Sequence, residues 1–220
     1  MKERKIYRLQ DLSLENQRVV LNEAIFHNAN GYIGVRYDFE EGCPDSYKIT
    51  KSQYINGFYD YAEMPQAEKL FGLPETKQVM LNVADTQEIR LFLEGEQFSM
   101  FSGTLLDYKL FLDMDRGVTV RDVKWRSPKG KEARIQITRM ASLYQLPLFI
   151  IEYEDKPLNF SGEIILQTAH NGNVKNYADE LDPRTPYGFT EYLTPVSCEL
   201  KDGASYITSR TSVSGLEVCS

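Results

Sequence analysis

The stretch VTVRDVKWRSPKGKEARIQITRM, residues 118–140, decides the fold. Its second half alternates: Ala133, Ile135 and Ile137 share one face, with charged or polar residues between them. Period-2 alternation is the mark of a half-buried strand. SPKGK, 127–131, is a strong turn, because Pro fixes φ and Gly accepts positive φ. The first half alternates less cleanly: Val118 and Val120 have one parity, Val123 and Trp125 the other. A bulge near Arg121-Asp122 would bring all four to a common face. The stretch therefore reads as two antiparallel strands joined by a tight turn.

The same pattern recurs outward. In EIRLFLEGEQFSM, Ile89, Leu91 and Leu93 oppose Arg90, Phe92 and Glu94. Glu94-Gly95 then breaks the strand, and another begins near Gln97. LPLFIIEYE, GEIILQTA, ASYITSRT and SGLEVCS are further strands. Each exposes one apolar face that must be covered, so a mainly β, antiparallel two-sheet sandwich is expected. Helix is scarce. SLENQRVV, 13–20, gives a turn or two behind Ser13. PQAEKLFG, 65–72, is the stronger candidate, with Pro65 at its first position and Gly72 at its end. Segments 40–76 and 171–197 show little periodicity and read as excursions from the sheets.

Between NEAIF and YIGVRYDF, Asn30-Gly31 is the dipeptide that most favours a tight hairpin turn. Both flanks are expected to pair as strands. Ile33, Val35, Tyr37 and Phe39 then share a face, opposite Arg36 and Asp38. Glu40 and Glu41 follow. Two carboxyls can cleave a glycosidic bond only if they flank it with divided pKa values. Adjacent acids at a strand end are expected instead to diverge, one paired with a local donor and one solvated.

The 220 residues are 42% hydrophobic, enough for a globular core and for a single domain over 1–220. A net charge of −7 repels a phosphate backbone, so nucleic acid is not an expected partner. The longest apolar run, LPLFII, is too short to span a bilayer, and MKERKIYRLQ leads into no apolar segment. No membrane partner and a cytoplasmic location are expected. Cys43, Cys198 and Cys219 are scattered and odd in number, which predicts neither a disulfide framework nor a zinc site. His27 and His170 lack partners at ligand spacing, so no metal is expected. DMDRG, 113–117, has too few ligands for a calcium loop and reads as a polar turn.

NEAIFHNANGYIGVRYDFEEG resembles the N-terminal segment of family 65 glycoside hydrolases, which include maltose, trehalose and kojibiose phosphorylases. Glu23, Phe26, Asn30, Gly31, Gly34, Arg36, Glu40 and Glu41 carry it. INGFYD (55–60), MLNVADTQEIRLFLEGEQF, the stretch 112–143 and LNFSGEIILQTAHNGNVKN (158–176) continue it in order. Tyr37 stands where the family has Gly, and His170 where Asp is usual. The resemblance implies a supersandwich, galactose-mutarotase-like, with one or two short helices, lying ahead of an (α/α)6 barrel that holds the catalytic acid. The chain stops in SGLEVCS, so it is expected to be part of a longer enzyme. It is expected to be inactive alone, with no catalytic residue and no cofactor of its own. The parent would transfer α-linked glucose from a disaccharide to inorganic phosphate or water, and this part would supply active-site rim and contacts in a homodimer. Tyr54, Phe58, Tyr59 and Tyr61 are the substrate-rim candidates, within a rim over 54–73, because aromatic faces stack on sugar C–H faces. A free-standing carbohydrate-binding sandwich is the alternative.

Overall fold

A computed structural model describes residues 5–9, 14–47, 49–63, 71–72, 74–176 and 191–220. These are mainly antiparallel β, the class expected, with one helix. Along the chain they form β1 (Ile6–Leu9), α1 (Asn16–Ile25), β2 (Asn28–Ala29), β3 (Ile33–Val35), β4 (Gln53–Glu63) and β5 (Thr76–Asn82). Next come β6 (Asp85–Leu93), β7 (Glu96–Gln97), β8 (Thr104–Asp113), β9 (Val118–Arg126) and β10 (Glu132–Ala141). The last are β11 (Phe149–Pro157), β12 (Ile164–Asn171), β13 (Leu193–Lys201), β14 (Ala204–Thr211) and β15 (Glu217–Cys219). They fall into two compact units: residues 1–51 with 87–169, and residues 52–86 with 170–220.

The first unit is organised by a five-stranded sheet in the order β1-β8-β9-β10-β11 and by a three-stranded sheet, β12-β6-β7. The alternation in β6 sets which side chains enter the core: Ile89, Leu91 and Leu93 are buried, with Arg90 exposed between them. Glu94 and Gly95 both take positive φ and turn the chain into β7. SPKGK behaves as read, with Ser127 N–H donating to Lys131 O at 2.8 Å. Asp113 likewise closes DMDRG by accepting from the N–H groups of Asp115 and Arg116. The core gathers Phe26, Tyr37, Phe39, Leu91, Leu93, Phe98, Trp125, Ala133, Ile135 and Ile137. Trp125 is edge-on to Phe98, and its indole N–H donates to Ser102 O at 2.7 Å, so burying the ring leaves no donor unpaired.

Three expectations are corrected here. NEAIF is not a strand: its first four residues end α1, and only β2 and β3 pair across the turn at Asn30-Gly31. Val19, Asn22, Glu23 and Phe26 follow the i, i+3, i+4, i+7 spacing of one helix face and are buried. Two of those four are polar, which hid the stripe from an apolar count. β9 has no bulge at Arg121-Asp122, since its register with β10 is unbroken. The irregularity lies on β8, between Leu105 and Asp107. Thr119, Arg121, Val123 and Trp125 form one buried face of β9, and Val118 and Val120 lie buried on the other. The parity needed no repair, because an arginine occupies a core position. Finally, 40–76 is not all excursion: β4 occupies 11 of its residues.

The turn at Asn30-Gly31 does more than reverse the chain. Gly31 takes φ +88°, and Asn30 Oδ1 accepts from the N–H groups of Tyr32 and Ile33. The Asn30 amide also donates to Ser142 O at 2.6 Å and Leu146 O at 2.8 Å, tying the hairpin to the β10–β11 loop. Asn30→Ala should cost about 1–2 kcal/mol by leaving these groups unmatched, and amide exchange should quicken over residues 142–148. Unchanged exchange in that loop would show that the tie does not hold it.

The second unit has its own small core of Phe58, Leu81, Val83, Tyr192 and Leu193. β4 pairs with β5, and β13-β14-β15 form an antiparallel sheet. Most of the expected helix at 65–72 lies outside the described residues. No described helix is long and apolar enough to cross a membrane.

Candidate functional site

Four charged residues, Glu40, Glu41, Arg121 and Arg139, converge inside the first unit. Arg121 and Arg139 stand at core positions of β9 and β10, almost fully buried. Such charges are tolerated only with opposite charges and hydrogen bonds around them. Glu40 and Glu41 provide these. Arg121 donates to Glu41 through Nη1 at 2.8 Å and Nη2 at 2.5 Å, and Nη2 also reaches Glu40. Arg139 Nε donates to the other Glu40 oxygen at 2.5 Å, Nη1 to Gln87 Oε1 at 3.1 Å and Nη2 to Asp38 O. Phe39 lies 5.2 Å from the Arg121 guanidinium and Tyr37 4.9 Å from that of Arg139, each under the cation. The cluster is neutral in sum and sealed by rings.

Glu40 and Glu41 thus do not split into one paired and one solvated acid, as the sequence suggested. Both are buried, and both grip one guanidinium. Adjacent residues can do this because the chain turns at Glu40-Glu41 and does not run on as a strand there. Burial opposes ionisation of Glu40, but the Arg139 and Arg121 charges outweigh it and hold its carboxyl below its ordinary value. Burial likewise opposes the charge on Arg121, and Glu41 and Glu40 outweigh that in turn. Carboxylates held this way brace two strands and are not free for proton transfer to a substrate.

A depressed folded pKa on Glu40 gives stability that is complete above its ordinary 4.5 and lost as pH falls through the lower folded value. Asp60 acts in the same direction in the second unit. Burial opposes its ionisation, but N–H donors from Val213 and Ser214 outweigh it and lower its pKa. The urea midpoint should therefore hold from neutral pH to about 5 and fall steeply below about 4. A flat profile down to pH 3 would mean that these carboxylates stay unlinked to folding.

Glu23 and Arg36 meet in the same unit, with Arg36 Nε 3.2 Å from Glu23 Oε1. That oxygen also accepts from Thr50 N–H at 2.9 Å. Cys43 is half-buried, and burial pushes its thiol up to about 12, while Cys198 and Cys219 are exposed and free. His27 sits on the surface at Ala24 O. Among the described residues no group of His, Cys, Asp and Glu has metal-binding geometry.

The four aromatic candidates lie on β4 but do not form one platform. Gly57, at φ +82°, marks a register break between Tyr54 and Tyr59. Beyond the break, Tyr59 and Tyr61 share a face, half-buried and exposed. Phe58 and Asp60 point the other way, Phe58 into the small core. Tyr54 stands apart, opposite Asn82. Sequence reasoning missed the contact beside it: Asn82 N–H donates to Asn176 Oδ1 at 3.0 Å, and its amide donates to Lys175 O. Asn176 in turn donates to Met80 O. Both asparagines lie in segments that carried the family resemblance, which was the available signal. His170, from the same segment, contacts Ser205 Oγ at 3.1 Å, and burial lowers its pKa.

Residues 10–220 match the model of the glycosyl hydrolase family 65 N-terminal domain. The chain belongs to that family. It is 37% identical over 207 residues to the alpha,alpha-trehalose phosphorylase of Geobacillus stearothermophilus, covering 93% of this chain and 27% of that protein. It is 31% identical over 194 residues to the kojibiose phosphorylase of Halothermothrix orenii, covering 88% of this chain and 22% of the relative. In fold it is similar to a human-microbiome protein assigned as a kojibiose phosphorylase, with TM-score 0.70, 22% identity, and coverage of 93% of this chain and 25% of that one. The chain spans about a quarter of the length of these proteins.

Proposed function

We propose that this chain is the N-terminal scaffold of a phosphorylase that acts on α-linked glucose disaccharides, with the bond-breaking groups in the part of the protein that its relatives carry beyond the matched region. The observation that carries the reading is the family match across nearly the whole chain, joined to relatives that are trehalose and kojibiose phosphorylases. The buried acids support it, since Glu40 and Glu41 are bound to arginine and leave transfer chemistry to other groups. Inorganic phosphate is the acceptor in this reading. No cofactor takes part, the full enzyme works as a homodimer in the cytoplasm, and this domain contributes dimer contacts.

Of the rim candidates, Tyr59 and Tyr61 fit the role, because they share the open face of β4. Phe58 fits a core role. The test is kinetic, in the full-length enzyme with trehalose or kojibiose and phosphate. Sugar 1-phosphate should form, and Tyr59→Ala with Tyr61→Ala should raise the disaccharide KM severalfold with little change in kcat, as expected when binding contacts are lost. Formation of free glucose alone would replace phosphorylase by hydrolase. Unchanged kinetics in the double variant would remove the rim. Saturable disaccharide binding by the 220-residue chain, measured calorimetrically, would favour a free-standing binding module.

A further inference from the structure

The β10–β11 loop, Ser142–Leu148, presents large apolar side chains to solvent on a fixed frame. Leu143 is 81% exposed and Tyr144 93%, with Tyr32, Leu146 and Leu148 partly exposed beside them. Tyr32, Tyr144, Leu146 and Leu148 line one open recess. Exposed groups of this size at a loop tip would ordinarily accompany a mobile loop, yet this one is pinned throughout. Ser142 N–H donates to Leu148 O and Leu148 N–H to Gln145 O, both at 2.9 Å. Ser142 Oγ accepts from the N–H groups of Tyr144 and Gln145. The Asn30 amide takes the carbonyls of Ser142 and Leu146.

A loop ordered before any partner arrives loses little further entropy on docking. Its chemistry selects the partner. No residue from Ser142 to Leu148 is charged, on a chain of net charge −7. Charge depletion with Tyr and Leu anchors is the composition of a protein–protein contact centre. A sugar would need several directed polar groups, and the carbonyls of Ser142, Gln145, Leu146 and Leu148 and the Ser142 hydroxyl are already bonded within the protein. The relatives carry about three quarters of their length outside the match. Polypeptide joined to the domain is present at high effective concentration, so a modest apolar contact suffices to hold it.

We infer that Leu143, Tyr144 and the recess beside them dock an apolar polypeptide surface in the part of the full-length enzyme outside this domain. This rests on the proposed function, since it requires the longer chain. The experiment replaces Tyr144 with the photo-cross-linker p-benzoylphenylalanine in the full-length enzyme and maps the linked peptides after irradiation. A link within one polypeptide, to a peptide beyond the matched domain, is expected. Leu143→Ser with Tyr144→Ser should lower the full-length melting temperature by about 3 °C or more and leave that of the 220-residue chain unchanged. A link to residues 1–220 of a second copy, a link to sugar, or no link would overturn the inference. Phosphorolysis is read separately: an active enzyme without the link fails this inference alone, and an inactive one with the link fails the proposed function alone.

Discussion

Arg121→Met should be among the most destabilising substitutions in the protein, at about 3–5 kcal/mol, because it leaves buried carboxylates without their cation. Glu41 loses both of its bonds to Arg121, and Glu40 keeps only Arg139. The loss should shrink as pH falls toward the carboxylate range, since protonation removes the uncompensated charge. Adding Glu41→Gln to Arg121→Met should recover part of it at neutral pH, by restoring the cluster's charge balance. Urea unfolding at pH 7 and pH 4 measures all three effects. A loss under about 1 kcal/mol for the single variant would mean that water reaches the cluster.

Gly103→Ala should come close behind, at about 3 kcal/mol or more, since strain and overlap act together. Gly103 takes φ +70°, and a Cβ there would lie 2.4 Å from Arg126 O and 2.8 Å from the Trp125 indole nitrogen. The backbone carbonyl cannot swing aside without disturbing the start of β8, where Thr104 opposes Arg126. Trp125 cannot move without breaking its bond to Ser102 and its packing on Phe98. Gly31→Ala is the internal control: φ is +88°, but nothing lies within 4 Å of the added Cβ, so only backbone strain of about 1 kcal/mol applies. Thermal unfolding of the two variants should separate them widely. Equal losses would mean that the close approach at Trp125 carries no weight.

Much of the fold was legible because alternation reports which face of a strand is buried. Ile89, Leu91 and Leu93 lie where alternation puts them, and so do Ala133, Ile135 and Ile137. The turns at SPKGK and Glu94-Gly95 were readable from residues that fix or free φ. The misreadings in the first unit share a physical source, which is polar residues at buried positions. Arg121 and Arg139 look like solvent-facing residues because charge is normally exposed. Their partners lie 80 and 99 residues away, so no local pattern links them. Asn22 and Glu23 hid the buried face of α1 in the same way. Two adjacent acids after the buried run Val35, Tyr37, Phe39, taken with arginines at core parity, were the usable clue. In the second unit, sequence marked the aromatic cluster but read it as an excursion from the sheets, and the break at Gly57 decided which tyrosines share a face. That depends on a local bulge, which composition does not report.

Arg121 and Arg139, on neighbouring strands, clamp Glu40 and Glu41, and in the proposed function the bond-breaking groups lie elsewhere in the polypeptide. Incubating the purified 220-residue chain with trehalose or kojibiose, with and without phosphate, measures this most directly. The account predicts neither sugar 1-phosphate nor glucose above the enzyme-free rate, from a chain that circular dichroism shows to be folded. Turnover abolished by Glu40→Gln or Glu41→Gln in a still-folded protein would contradict it.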